Sequence, residues 1–212
     1  MPERVSEHHR IAVLGGVYAN AEALAAVLAD ARRRDAEAVF CLGDLGGFGA
    51  HPDRVFPLLR QHGVRVVRGN YDEAVATAAP DCNCGYTDPR DNHYARISYA
   101  YTVAHTSVAN RAWLATLPGH RRIALGPHRV LMCHGSPRRI NEFLWESTTP
   151  DGLLRRLLVA HAVVGLGVGG VEADADLKRV PRPVRETRQR VGQRLRHHGA
   201  VREHGGRGHA QA

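Results

Sequence analysis

Short apolar segments alternate with helical patterns along the first third of the chain, and this alternation most constrains the fold. The apolar runs are residues 10–14 (RIAVL), 38–42 (AVFCL) and 64–68 (VRVVR). Residues 20–34 and 52–62, which lie between them, carry a helical pattern, and the first of these segments begins at Asn20, a good helix cap. Strand–helix–strand repeats of this length form parallel pairs with right-handed crossovers. The sequence therefore predicts an α/β fold.

The middle of the chain has a different pattern. Residues 78–92 are rich in Pro, Asp, Asn, Cys and Gly, which predicts a long loop or a small cap. Residues 93–117 are expected to be helical, with Ile97, Tyr101, His105 and Val108 on one face. Two apolar segments, 121–125 and 129–133, flank a Gly-Pro pair and predict a hairpin. A helix over 153–160 and a last strand over 162–166 complete the predicted elements.

The C-terminal part of the chain lacks the residues needed for a core. All twelve aromatic residues lie at or before Trp145, and the sequence from Pro181 onward is a mixture of Arg, Gly and His. Such a segment buries too little apolar surface to offset its ordering entropy. We expect residues 1–9 and a basic tail over 176–212 to be disordered, with a folded domain over 10–175. Divergence and a reading-frame shift are both open as the origin of the tail.

Charge and composition exclude several classes of function. The net charge is +8, but residues 159–212 hold ten Lys or Arg against five Asp or Glu, so the excess sits mainly in the tail. This distribution predicts weak attraction to polyanions and no specific nucleic-acid site. No apolar run approaches the roughly 20 residues of a membrane span. The polar N-terminus and four cysteines predict a cytoplasmic protein with reduced thiols.

Polar residues follow three of the predicted strands. Asp44 comes after the strand over 38–42, Asn70 after the strand over 64–68, and His134 after the strand over 129–133. Sites form at the carboxyl ends of strands in α/β sheets. A carboxylate, an amide oxygen and an imidazole that converge there suit one divalent cation, Mn, Fe or Zn. Taken singly, each residue is equally compatible with a cap or a turn.

The order and spacing of these residues resemble the calcineurin-like metallophosphoesterases, in particular a small bacterial single-domain branch. The resemblance spans roughly residues 10–170 and is strongest in residues 41–49 (CLGDLGGFG), 68–75 (RGNYDEAV) and 133–137 (CHGSP). It implies a four-layer α/β/β/α sandwich and a two-metal site that hydrolyses phosphoric esters. By resemblance, Asp44 bridges the metals and Asn70 and His134 bind the second one. Tyr71 stands where the family has a catalytic histidine.

This chain departs from the family at the other metal ligands. The family's Asp-x-His after the first strand is Gly16 and Tyr18 here, and its final His-x-His aligns with Val168 and Gly170. Since glycine and valine offer no side-chain lone pair, we expect at most one divalent metal. The second sheet is expected to be incomplete at its C-terminal end.

Three functions are therefore open. The first is a metal-dependent phosphoesterase, impaired or inactive, with a phosphomonoester, phosphodiester or nucleotide as substrate. The second is a non-catalytic binding protein with the same fold, and the third is an interaction protein that uses its basic tail. Arg138 and Arg139 are candidate phosphate contacts, or else surface charges. Ser136 is expected to be a turn hydroxyl, and the Cys82-x-Cys84 pair two loop thiols without a metal.

Overall fold

The protein is described by a computed structural model, which covers residues 6–84, 86, 88–142, 144 and 149–161 and the backbone of 164–166. The strands are β1 (Ser6–His8), β2 (Ile11–Leu14), β3 (Ala38–Cys41), β4 (Arg65–Val66), β5 (His120–Leu125), β6 (His128–Cys133) and β7 (Val164–Leu166). The helices are α1 (Ala21–Arg33), α2 (Val55–Gln61, preceded by a 3₁₀ turn at Pro52–Arg54), α3 (Asn70–Thr77), α4 (Pro89–His105), α5 (Val108–Ala115) and α6 (Asp151–His161).

The strands form two sheets. The first is parallel, in the order β2-β3-β4, and its register pairs Leu14 with Cys41 and Cys41 with Val66. The second has the order β1-β5-β6-β7; within it β5 and β6 are antiparallel, while β1 and β7 run parallel to their neighbours. Because the strands of the first sheet end at the same level, the loops that follow β2, β3 and β4 meet at one edge.

A buried cluster joins the two sheets and places one directly over the other. It consists of Phe40, Leu42, Val67, Ile123, Val130 and Met132. A second cluster lies on the other side of the first sheet, where helices α1 to α5 contribute residues such as Leu24, Leu59, Val75 and Tyr99. Helices, sheet and sheet thus form three successive layers. The α/β fold with two sheets is confirmed, and the fourth layer stays a prediction.

The predicted order of strands and helices is largely confirmed, but the expected disorder of residues 1–9 is wrong for Ser6–His8. This segment forms β1, which pairs in parallel with β5. His8 is buried, and its ring packs edge-on against Phe40 with 5.9 Å between the ring centroids. The sequence Ser-Glu-His carries no apolar signal for a strand, so only the pairing with β5 reveals it.

The helical region after the cap loop also differs from the prediction. Helix α3 was not expected, and the single helix over 93–117 is divided in two at Thr106-Ser107, where the Ser107 side chain accepts a hydrogen bond from the Asn110 N–H and caps α5. The residues expected on one helix face are largely exposed, since Ile97 and Val108 are 54% and 73% accessible. Ala95, Tyr99 and Thr102 are the buried residues of α4, and the Tyr99 hydroxyl lies 3.0 and 2.7 Å from the carbonyl oxygens of Ala74 and Ala79, to which its one hydrogen can be donated.

Two further expectations concern the cysteines and the tail. Cys82 and Cys84 are joined by a disulfide, so reduced thiols are the wrong expectation for this pair, whereas Cys41 and Cys133 are free and buried. The basic tail over 176–212 lies outside the described residues. Among the residues that the structure does describe, none belongs to a helix long and apolar enough to cross a membrane.

Substitutions in α4 test which of its faces is buried. Replacing Tyr99 by Ala removes a buried aromatic side chain and should lower the free energy of unfolding by about 3–5 kcal/mol. Replacing the exposed Ile97 by Ala should change it by less than about 0.5 kcal/mol. Urea unfolding followed by circular dichroism measures both values, and a larger loss for Ile97→Ala would contradict this orientation of the helix.

Candidate metal centre

The structure brings Asp44, Asn70 and His134 together, as the sequence predicts. Asp44 lies in the loop after β3, Asn70 is the first residue of α3, and His134 directly follows β6. The His134 Nε2 atom is 2.9 Å from Asn70 Oδ1 and 3.5 Å from Asp44 Oδ1. Both sheets therefore contribute to one site, with two residues from the first sheet's loops and one from the second.

Backbone carbonyls fix the direction in which the side chains of His134 and Asn70 point. The carbonyl oxygen of Leu42 lies 2.6 Å from His134 Nδ1, which donates its hydrogen to it. The Asn70 Nδ2 group donates to the carbonyl oxygen of Cys82 at 2.8 Å, so that its Oδ1 faces the histidine. In a neutral ring, His134 Nε2 then presents a lone pair to two oxygen atoms. Three acceptors that face one another need a shared proton or a cation between them.

Burial shapes the electrostatics of the site. It lowers the pKa of His134 below the usual value for imidazole, although the Leu42 carbonyl acts in the opposite direction. Burial also raises the pKa of Asp44 above the usual carboxyl range, against the effect of the Tyr71 N–H. A divalent cation would be the largest local charge: it would favour the ionised form of Asp44, against the effect of burial, and would keep His134 neutral, in the same direction as burial. The donor set therefore fits one cation held by oxygen and nitrogen.

Asp72 braces the loops that carry the ligands. Its carboxylate accepts hydrogen bonds from the backbone N–H groups of Asp44, Leu45 and Gly69, at 2.9, 2.9 and 2.8 Å. The residue is 1% exposed and occupies the third position of α3, where an acidic side chain commonly caps a helix. Asp72 was not among the residues predicted for the site, although an Asp three residues after the glycine that precedes a helix is a capping signal.

Two glycines allow the loops after β3 and β4 to approach closely. Gly43 has φ +94°, and a Cβ added to it would lie 2.5 Å from the Gly69 nitrogen. A Cβ on Gly69 would in turn lie 2.7 Å from the Asp44 nitrogen. Side chains at either position would separate the loops and with them Asp44 and Asn70.

Tyr71 is buried away from the donor atoms. Its hydroxyl donates to Thr102 Oγ1 at 3.2 Å, and its ring packs edge-on against Tyr99 with 5.5 Å between the centroids. Burial raises the pKa of its phenol. Its backbone N–H, in contrast, lies 3.4 Å from Asp44 Oδ1. The structure therefore assigns the backbone of Tyr71 to the site, and the catalytic role of its side chain stays a prediction.

The side of the site expected to hold the other metal is filled by a tyrosine ring. A Cβ added to Gly16 would lie 2.7 Å from Tyr18 Oη and closer still to the ring carbons. Burial, followed by the charge of Asp44, raises the pKa of the Tyr18 phenol. Val168 and Gly170 lie outside the described residues. These residues do not fit a second cation beside Gly16.

Within the part of the chain that the structure describes, no group of three or more His, Cys, Asp or Glu side chains could hold a metal. Only two of the three converging donors belong to these residue types, and the third is the amide of Asn70. The centre is therefore visible only when amide oxygens are counted as ligands, as the sequence motif suggests.

The arginines after His134 have different surroundings. Arg138 forms an ion pair with Glu142. Ser136 Oγ accepts the backbone N–H groups of Arg138 and Arg139 at 3.0 and 3.2 Å, so it is confirmed as a turn hydroxyl. Arg139 lines an open cavity that His134 also borders.

Comparison with known proteins identifies the family of the chain. A family model described as the calcineurin-like phosphoesterase superfamily domain matches residues 5–164. The chain belongs to this superfamily. The resemblance found in the sequence motifs is thus confirmed over most of the chain.

Individual proteins match the chain over part of their length. The chain is 31% identical over 141 residues to "Uncharacterized protein MJ0912" of Methanocaldococcus jannaschii, covering 66% of this chain and 54% of that protein. It thus spans about half the length of this curated relative. The crystal structure of hypothetical protein PH1004 from Pyrococcus horikoshii OT3 is 20% identical, with a TM-score of 0.62, and the match covers 76% of this chain and 69% of that one. A metallophosphoesterase from Sphaerobacter thermophilus is 31% identical, with a TM-score of 0.46 and coverage of 65% and 51%.

Replacement of Asp72 tests its bracing role. Asp72→Ala leaves three buried N–H groups without an acceptor and should lower the free energy of unfolding by about 3 kcal/mol or more. The neighbouring Glu73 is a matched control, because its ion pair with Arg68 is partly exposed. Glu73→Ala should lower stability by less than about 1 kcal/mol. Equal losses in chemical unfolding would show that Asp72 does not join the two loops.

Proposed function

We propose that the chain binds one divalent cation through Asp44, Asn70 and His134, and that it hydrolyses phosphoric esters at a rate well below that of a two-metal enzyme. Membership of the calcineurin-like phosphoesterase superfamily supports the reaction class. The observation that carries the proposal is the meeting of three oriented donors on one side of the site and a tyrosine ring on the other.

The residues of the chain have distinct parts in this proposal. His134, held by the Leu42 carbonyl, offers Nε2 to the cation, and Asn70, held by the Cys82 carbonyl, offers Oδ1. Asp44 supplies the carboxylate, and Asp72 keeps its loop against the loop of Asn70. A bound Mn, Fe or Zn ion would act as a Lewis acid toward a phosphoryl oxygen. Phosphomonoesters, phosphodiesters and nucleotides are the proposed substrates.

Tyr18 accounts for the reduced rate in this proposal. Two neighbouring metals stabilise both the attacking and the leaving oxygen of an in-line displacement. With a phenol ring over Gly16, this chain has side-chain donors for one cation only in the described part of the site. Substrate binding and partial neutralisation of the phosphate charge remain, while the stabilisation due to the second cation is lost.

Metal content tests the stoichiometry. Protein loaded with Mn and then dialysed should contain at most one ion per chain by elemental analysis, and two tightly held ions would refute the proposal. His134→Ala should weaken Mn binding at least about tenfold, a loss that removal of even a ligand's hydrogen-bond partner can cause. The control is His128→Ala, since His128 is an exposed histidine on the same hairpin. Equal effects of the two substitutions would place the ion elsewhere.

Restoration of the family's ligands tests the cause of the low rate. The combined variant Gly16→Asp, Tyr18→His, Val168→His and Gly170→His should hydrolyse bis(p-nitrophenyl) phosphate faster than the unmodified chain in the presence of Mn. Gly16→Asp alone should bring no gain and should lower the melting temperature, because its Cβ meets the Tyr18 ring. Catalytic groups that act as a unit have non-additive effects. A folded, metal-loaded combined variant without added activity would contradict this assignment.

A further inference from the structure

A basic cleft opens beside the candidate metal centre. It has a volume of about 360 Å³, and His134 belongs both to its wall and to the metal centre. Its floor is the face of the β5–β6 hairpin that carries Leu131 and Cys133. The opposite face of the same hairpin carries Ile123 and Val130, which pack in the cluster between the sheets. The cleft therefore lies on the outer side of the second sheet and reaches the metal centre at His134.

The wall of the cleft carries a large excess of basic side chains. Arginines and histidines reach it from the loops after β4 and β6, from β5 and from α6, namely Arg68, His120, Arg122, Arg138, Arg139 and His161. Glu73 is the acidic residue that lines it among those described, and it lies 3.4 Å from Arg68. Residues distant in sequence are thus brought together with charges of the same sign.

Several of these arginines have unused hydrogen-bond donors in the described part of the chain. Arg138 is neutralised by Glu142, whereas the Arg122 guanidinium donates to the carbonyl oxygen of His161, at 3.3 Å, and to no other residue in the described part of the chain. Arg68 Nε is buried and has no hydrogen-bond partner among the described residues. The guanidinium of Arg139 makes no ion pair or hydrogen bond to any residue that the structure describes. Clustered like charges repel one another, and an anion in the cleft would relieve that repulsion.

We propose that the basic cleft binds a second phosphate group of the substrate, next to the phosphate that the cation at His134 contacts. This inference rests on the proposed function of the metal centre and narrows its substrates to compounds with two or more linked phosphates. Guanidinium groups recognise phosphate through paired hydrogen bonds, which suits Arg122 and Arg139. Because the cleft and the centre share His134, adjacent phosphates of one chain can occupy both.

Binding of inorganic tripolyphosphate tests the cleft without any catalytic step. Calorimetry on metal-free protein should show tripolyphosphate binding more tightly than orthophosphate, since only the longer anion spans the cleft. Arg122→Gln and Arg139→Gln should each weaken tripolyphosphate binding about tenfold, the usual effect of losing a charged hydrogen bond. Both side chains are exposed, so folding should be preserved, and circular dichroism verifies this.

Arg129→Gln is the matched control, because Arg129 is an exposed arginine of the same hairpin and does not line the cleft. It should weaken binding by less than about threefold, as expected for general charge attraction at a distance. An equal loss in all three variants, or equal affinity for the two phosphate probes, would overturn the proposal. Turnover of a phosphoester is measured separately. Activity without tripolyphosphate binding refutes the cleft alone, and binding without activity refutes the phosphoesterase proposal alone.

Discussion

The carboxylate of Asp72 is the constraint on which the metal centre depends. It accepts three backbone N–H groups, two from the loop after β3 and one from the loop after β4. Without Asp72, nothing in these hydrogen bonds would hold the two loops together. Buried backbone N–H groups need acceptors, and the Asp72 carboxylate supplies one to both loops. With this one buried side chain, the chain fixes the separation between Asp44 and Asn70. His134 then reaches both of them from the second sheet.

The two sides of the candidate metal centre, one with His134 and Asn70 and the other with Gly16 and Tyr18, are built differently. On one side, His134 and Asn70 are each oriented by a backbone carbonyl, which is how proteins commonly orient metal ligands. On the other side, a glycine and a tyrosine occupy the positions of donors, and the tyrosine ring takes up the space. The two substitutions are therefore coupled sterically, since the ring fits only because residue 16 has no side chain. The residue at position 16 thus sets which side chain position 18 can hold in this orientation.

The sequence predicts most of the framework because apolar runs and strand-end residues are strong local signals. Strands β2, β3 and β6 and the meeting of Asp44, Asn70 and His134 follow from these signals. Strand β1 does not, because its pairing partner lies more than a hundred residues away. The buried side of α4 does not follow from the sequence either, since Ile97 is the more apolar residue, yet it is Tyr99 that is buried, with its hydroxyl close to two carbonyl oxygens of neighbouring residues. The position of the Tyr18 ring could not be predicted from the sequence either, because it depends on the space that Gly16 leaves beside it.

The hydrogen bond from Asn70 to the Cys82 carbonyl has a consequence for the chemistry of the centre. A primary amide has an oxygen at one corner and an NH₂ group at the other, and half a turn about the last side-chain bond exchanges them. While the carbonyl of Cys82 holds the nitrogen, the oxygen faces His134 Nε2, where the proposed cation would bind. If the loop that carries Cys82 moved away, the rotated amide would direct hydrogens at the cation and repel it. A backbone oxygen twelve positions along the chain thus decides whether residue 70 attracts or rejects a metal ion.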